Sequence, residues 1–307
     1  MLHPEVRRKL KRLGWKCPHE RATEFSSTRR TKDMTDDLAG EFQRVDAASD
    51  FAVFLNCLTL IDSLPFFAEC KRESYDLLGA RPGSRILEVG CGLGEDAVLR
   101  ARLVAPGGSV VAIDGSQTMI TAACERHGDV AGLSFNVADA AQLPFDDASF
   151  DACRVDRVLQ HIADPASAVR EMVRVIRPGG VLVAYDNDWE TLTVNFADRK
   201  LTRTVLNAWC DRFPSGWIGR RLVPLFLQAG LRDVVTHPKT LVLRELGVAD
   251  RIYSFFSTAK RLAEARVISR SDADRWSEAL RTADAEGRFF TSYTGFLVSG
   301  IRPGGAG

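Results

Sequence analysis

The chain has 307 residues, a formal net charge of +1, 45% hydrophobic residues and 26% charged residues. This is the composition of an ordinary soluble globule with ample core, built as one large domain with additions or as two small ones. It gives no global pull toward nucleic acid or an anionic membrane surface, and no apolar run approaches the length of a membrane span. Seven cysteines are present. An odd number, with no apolar signal-peptide core at the N-terminus, reads most simply as reduced thiols in a cytoplasmic protein.

Residues 1–35 are polar and basic, with Arg7-Arg8-Lys9 and Lys11-Arg12. They read as a solvated or partly helical arm. A nucleic-acid arm is the sharper alternative, but the aromatic interleaving of single-strand binders is missing. Cys17-Pro18-His19 has no second ligand pair, so no metal is expected. From residue 36 to 78 the spacing turns helical, with Phe51, Phe54, Leu55, Leu58 and Ile61 on one stripe, interrupted at Pro65.

The most informative stretch runs from Ile86 to Asp96. Ile86 to Val89 is a short apolar run of the kind a buried parallel strand needs. Three glycines at alternate positions follow, Gly90, Gly92 and Gly94, and then a helical pattern from Ala97 to Val104. Strand, glycine-rich turn and helix together form the entry to a nucleotide-type site. The dinucleotide fingerprint has its third glycine one residue later. Here Glu95 and Asp96 also stand at the helix start, where they would repel a pyrophosphate. A ligand with a positive centre and no phosphate, such as S-adenosylmethionine, suits the turn better.

Ser109 to Asp114 reads as the next buried strand and ends in a carboxylate about twenty residues past the glycines, where an acid can reach a ribose. Asp114 could instead cap the helix that follows, although Ser116 can do so itself. Leu133 to Ala140 reads as a third strand and its exit, and Phe150 to Val155 as a fourth. Pro165 opens a helix that ends before Arg177-Pro178-Gly179-Gly180, and Val181 to Tyr185 forms a fifth strand. Asp186-Asn187-Asp188-Trp189-Glu190 then falls at the carboxyl end of that strand, the edge that holds ligands in doubly wound sheets. Its acids could bind Mg²⁺, orient a substrate or simply be solvated; Trp189 could wall a pocket, face a cation or pack in the loop. Further strands are expected near 231–243 and 294–301, with helical insertions at about 190–215 and 245–288.

Glu88-x-Gly90-x-Gly92-x-Gly94, with Asp114, Asp139 and the phrase Leu143-Pro144-Phe145 before an acidic turn, resembles the class I SAM-dependent methyltransferases. The likeness is to the group of ubiquinone/menaquinone-type and small-molecule tailoring enzymes, and it is strong from 84 to 185. It implies an α/β fold with a doubly wound, seven-stranded, mostly parallel sheet. The domain would span 36–307, after the 1–35 arm, with lid elements at about 36–78, 190–215 and 245–288. The segment Gln43-Arg44-Val45-Asp46 reads as a lid or a packing helix.

The resemblance further implies S-adenosyl-L-methionine as cofactor, held by Glu88, Gly90, Cys91, Gly92, Gly94, Asp114, Gly115, Ser116, Met119, Asp139, Ala140, Asp156 and Arg157. Glu88 would lie near the methionine amino group, Asp114 at the ribose, and Asp139 with the Ala140 N–H at the adenine. Arg157 could meet the methionine carboxylate or an acidic substrate, or form a surface ion pair. His161 is the first candidate general base, with a backbone-held histidine as the plainer reading; Asp186, Asp188 and His237 follow. The base-amine signature Asn/Asp-Pro-Pro-Tyr/Phe is lacking, which disfavours DNA. The expected substrate is a small organic molecule methylated on O, N or C. The alternatives are a non-methylating cyclisation or isomerisation, or modification of RNA or protein through the basic arm. A homodimer is compatible with the sequence.

Overall fold

The computed structural model describes Asp46 and residues 58–304. The 1–35 arm, Cys17 and all of the 43–46 segment except Asp46 lie outside the described residues. Seven strands form one sheet in the order β3-β2-β1-β4-β5-β7-β6. They are β1 (Arg85–Val89), β2 (Ser109–Asp114), β3 (Leu133–Val137), β4 (Phe150–Asp156), β5 (Ile176–Val194), β6 (Arg232–Leu243) and β7 (Thr291–Ile301). The first five run parallel, and β7 pairs antiparallel with both β5 and β6. The strand order reverses between β1 and β4. Such a switch point leaves a crevice beyond the carboxyl ends of the strands.

Strand periodicity sends alternate residues to two cores. Leu87, Val89, Cys153, Val155, Leu182 and Ala184 pack against α4 (Pro165–Val175) and α6 (Ile218–Gln228). The other face meets α1 (Pro65–Leu78), α2 (Glu95–Val104) and α3 (Gln117–His127) through Ile86, Val110, Ala112, Ala152 and Val183. A helical layer continues this second core over β5 and β7. It comprises α5 (Arg199–Cys210), α7 (Leu246–Tyr253), α8 (Phe255–Glu264) and α9 (Arg270–Ala285). These helices fall within the stretches 190–215 and 245–288, of which residues 190–194 belong instead to β5.

The same alternation puts charge inside. Glu88 and Arg154 follow Ile86 and Ala152 on the α1–α2 face and are almost wholly buried. Arg154 Nη1 meets Glu88 Oε1 at 2.6 Å, and its Nη2 meets Asp156. Its Nε donates to Ser74 Oγ of α1 at 2.8 Å. Arg100 of α2 reaches the same Glu88 oxygen at 2.6 Å. Asp96 accepts from Tyr75 at 3.0 Å and pairs with Lys71 at 3.2 Å, and Lys71 also meets Asp62. Arg157 pairs with Asp156 at 2.8 Å. Four carboxylates thus face four cations. Burial alone would raise the pKa of Asp96, but Lys71, Arg154 and Arg100 outweigh it and hold the group well below the usual carboxylate range.

Removing one partner from such a cluster strands a charge in the interior, at a cost of about 3–5 kcal/mol. Arg154→Met should lower the unfolding free energy by that order in urea denaturation at pH 7. A loss near zero would mean that Glu88 and Asp156 are solvated in the variant and that the cluster does not hold α1 and α2 to the sheet.

Candidate functional site

A cavity of about 830 Å³ lies above the β1/β4 crevice. Ligand cavities typically span roughly 300–1,000 Å³, so there is room for more than one small molecule.

One end is made by the tips of β1, β2 and β3. After Val89 the chain turns through Gly90, at φ 72°, where an added Cβ would fall 2.1 Å from Val158. The N–H groups of Gly90 and Cys91 both donate to the Ile113 carbonyl, which ties the turn to β2. Gly94 caps α2 at φ 84°, and a Cβ there would meet the Phe135 ring at 2.7 Å. Close approach and left-handed backbone together require glycine at both positions.

Asp114 ends β2 and accepts from the Gly92 N–H at 2.9 Å and the Ser116 N–H at 3.0 Å. Burial pushes its carboxyl pKa up against those two bonds. Ser116 caps α3 itself, accepting from the Met119 N–H, so Asp114 is not spent on the cap. Asp46 closes the same helix start by accepting from Ser116 Oγ, Gln117 N and Thr118 N. Gly115, Ser116 and Met119 line the cavity, as do Asp139 and Ala140 after β3. Asp139 is exposed and accepts from the Ala141 N–H.

The floor is the buried ion cluster. Glu88 offers Oε1 to both arginines, while Oε2 is buried with no hydrogen-bond partner. Arg157 sits at φ 57°, rare for a non-glycine residue, with its guanidinium 4.7 Å from the centre of the Phe67 ring. Its N–H donates to the Tyr185 carbonyl. Strained backbone of this kind collects at functional sites.

The other end belongs to β4, β5 and β7 and to the helical cover. Trp189, Trp209, Phe213 and Tyr293 form a contiguous aromatic wall, with Trp189 stacked on Phe213 at 5.4 Å and tilted against Tyr293 at 4.8 Å. Gln160 anchors it. Its Oε1 accepts from Trp189 Nε1 at 2.9 Å and from Asn187 Nδ2 at 3.3 Å. Its Nε2 donates to the Arg157 carbonyl and lies 3.1 Å from His161 Nε2. Indole N–H can only donate and a carbonyl can only accept, so the orientation of the Gln160 amide is fixed. The nitrogen facing His161 is therefore a donor, and the His161 Nε2 lone pair is already engaged. Burial, with Arg157 adding to it, pushes the His161 pKa down to about 4.

The structure corrects three of the expectations. Asp186 and Asp188 do not stand on a loop at the sheet edge. Strand β5 continues to Val194 because β7 pairs alongside it, and the strand alternation turns Asn187 and Trp189 to the cavity. Asp188 faces away and is held by Arg220 of α6 at 2.5 and 2.8 Å. Asp186 is buried under the turn at Leu159–His161, accepting from Gln160 N at 3.2 Å and Asn187 N at 3.0 Å. Neither acid reaches the cavity, and pointing to different partners they cannot share a metal. His161 does line the cavity, but the lone pair a base would use is met by Gln160. His237 lies on β6, paired with Glu73 at 3.0 Å, away from the cavity wall. Gln160, Asn187, Trp209, Phe213 and Tyr293 were not anticipated. None was named as a site residue, although Asn187 lies in the acidic stretch expected at the ligand-holding edge, Trp209 and Phe213 fall in the expected 190–215 lid, and Gln160 stands beside His161.

The chain has relatives among known proteins. Residues 87–184 match a family model described as "Methyltransferase domain". An "Uncharacterized 37.1 kDa protein" from a transposon of Streptomyces fradiae is 36% identical over 253 residues, covering 82% of this chain and 71% of that protein. Demethylmenaquinone methyltransferase of Staphylococcus aureus is 35% identical over 124 residues, 40% of this chain and 51% of that relative, so the match spans about half of its length. Among solved structures, the YcgJ protein of Bacillus subtilis superposes with a TM-score of 0.55 at 17% identity, covering 78% of this chain and 100% of that one. A protein of Bacillus halodurans C-125 gives 0.54 at 18% identity, covering 76% and 99%. At these identities the structural likeness concerns the fold alone.

Burial pushes the Asp186 carboxyl up to about 8, against the two backbone hydrogen bonds it accepts. In the unfolded chain an aspartate titrates near 3.9. The folded state thus keeps a proton that the unfolded state has lost, so this group's favourable contribution is full below about pH 4 and is lost as pH rises toward about 8. Unfolding free energies measured at pH 5, 6.5 and 8 should fall along that series for this group, and Asp186→Asn should remove its part of the slope. Identical slopes in both proteins would mean that Asp186 ionises normally.

Proposed function

The chain belongs to the class I SAM-dependent methyltransferases, and on that premise we propose that it transfers the methyl group to a small organic molecule held against the aromatic wall. The observation that carries this reading is one cavity with carboxylates at the β1–β3 tips, the Asp156–Arg157 pair at the end of β4, and largely aromatic walls from β5, β7 and the helical cover. A roof of helices encloses the second end, which favours a compact acceptor over a chain of RNA or protein.

Bound SAM supplies a methyl group on a positively charged sulfur. The side chains at the first end fit that molecule. The glycine turn offers bare backbone, and Asp114, oriented by Gly92 and Ser116, keeps lone pairs for two ribose hydroxyls. Glu88 Oε2 is a buried acceptor suited to the methionine ammonium. Met119 and Ala140 are apolar and buried, and they suit the faces of an adenine, with Asp139 at its amino edge. Cys91 and Gly115 contribute backbone. Asp156 holds Arg157, whose guanidinium suits the methionine carboxylate. Glu95 and Asp96 at the start of α2 disfavour a pyrophosphate in the same place.

The chain contributes approach geometry and a dry chamber. His161, whose pKa burial lowers, and Gln160 face each other and act as fixed walls here.

The test is the binding of S-adenosylhomocysteine, followed by thermal shift and calorimetry. The wild-type protein should bind it and gain thermal stability. Asp114→Ala should weaken binding by the worth of a charged hydrogen bond, about 1.5–3 kcal/mol, or at least tenfold. An unchanged affinity would remove Asp114 from the ribose, and no binding by the wild type would remove the whole site assignment.

A further inference from the structure

Among the described residues, the acceptor end of the cavity carries no charged side chain past Arg157. The charged residues of the cavity wall lie on the β1–β4 side and on α1, and Arg157, nearest the aromatic wall, has its Nε turned to Asp156. Beyond it, among the described residues, the polar groups are Gln160, His161, Asn187, the Trp209 indole N–H and the Tyr293 hydroxyl, and the rest of the wall is aromatic or aliphatic. A charged substrate would lose its hydration there without a counter-ion, which is strongly unfavourable. The contiguous rings of Trp189, Trp209 and Phe213 are packed on one another rather than spread around a hollow, so they present a face to stack on and not a cage for a cation.

Among the described residues of this end, Asn187 Oδ1, Trp209 Nε1 and Tyr293 Oη are buried with no hydrogen-bond partner, and of these Asn187 Oδ1 alone is a pure acceptor. Asn187 is 3% exposed and lines the cavity, and its Oδ1 is buried with no hydrogen-bond partner. The assignment of oxygen and nitrogen follows from its neighbours. Gln160 Oε1 must be an acceptor because it receives the Trp189 indole N–H. The Asn187 atom 3.3 Å from that oxygen must then be the NH₂ group. This leaves the carbonyl oxygen of Asn187 as the orphan. Gln160 in turn is held by its backbone N–H on Asp186 and its carbonyl on Ser215 N. The orphan acceptor is therefore rigidly aimed, and a buried carbonyl without a donor is costly unless a ligand supplies one.

We propose that the acceptor end takes an uncharged, flat molecule that presents an N–H or O–H donor to Asn187 Oδ1 while its ring plane lies on the Trp189–Trp209–Phe213 wall. This deepens the methyl-transfer reading and rests on it. Asn187 then selects the substrate, and its neighbour Gln160 is a positioning residue that keeps the amide turned the right way.

Indole and benzofuran test this without an identified substrate, because they share a shape and differ in one ring atom, N–H against O. Calorimetry on protein saturated with S-adenosylhomocysteine should find indole binding about tenfold more tightly than benzofuran. Benzoate and benzylammonium should bind more weakly than indole. Asn187→Leu, close in size and without the acceptor, should erase the preference of indole over benzofuran while S-adenosylhomocysteine still raises its melting temperature. Equal binding of indole and benzofuran by the wild type would overturn the proposal, as would tighter binding of either charged probe or a preference that survives in Asn187→Leu. The wild-type comparison needs no variant, so it decides the matter even where the leucine protein does not fold. Failure of S-adenosylhomocysteine itself to bind would strike the methyl-transfer site instead, and is read separately.

Discussion

The contact between Arg154 and Glu88, at the middle of the sheet, is the constraint on which the rest of the site rests. Neither side chain can leave, since both are buried, and neither can stay without the other. Through Ser74, Tyr75 and Lys71 the pair fixes α1 against the sheet, and through Arg100 and Asp96 it fixes α2. Those two helices bound the glycine turn and the cavity floor. Apolar side chains of similar volume would hold such a junction at least as well. What they would not do is leave a buried carboxylate oxygen, Glu88 Oε2, without a hydrogen-bond partner on a residue that lines the cavity.

The strand order then divides the cavity into two chemical halves. From β1 toward β3 the tips carry carboxylates: Glu88, Asp114 and, just past the strand, Asp139. Past the Asp156–Arg157 pair at the end of β4, the wall toward β7 carries amides and rings. Gln160 stands at the border. Its side chain and backbone between them bind Trp189, Asn187, Arg157, His161, Asp186 and Ser215. A saturated amide of this kind orders its surroundings without taking up charge, which suits a boundary between an ionic floor and an apolar chamber.

The first half was legible in the sequence because its chemistry is local. A strand, a glycine turn and a helix announce themselves within a dozen residues, and Asp114 and Asp139 fall at strand ends that the alternation of apolar residues marks. The second half was not, because its chemistry is assembled from afar. Asp186 and Asp188 look like loop acids beside Arg177-Pro178-Gly179-Gly180. Only the pairing of residues more than a hundred positions later, in β7, turns that stretch into an interior strand, and only Arg220 of α6 explains a buried Asp188. Trp189 was singled out at its strand end, but Trp209, Phe213 and Tyr293 are unremarkable in their own windows, and it is packing that makes the four a wall. His161 was found by position, but the group it faces is an amide whose orientation depends on an indole elsewhere in the fold.

The place of β7 has a consequence for how the molecule is made. It lies inside the sheet, between β5 and β6, and it also brings Tyr293 to the cavity. A nascent chain that has left the ribosome only as far as residue 290 has its parallel half available for folding, while β6 has no neighbour to join and the chamber lacks one side. The ionic half of the cavity can therefore mature during synthesis, whereas the acceptor half must wait for the eleven residues of β7.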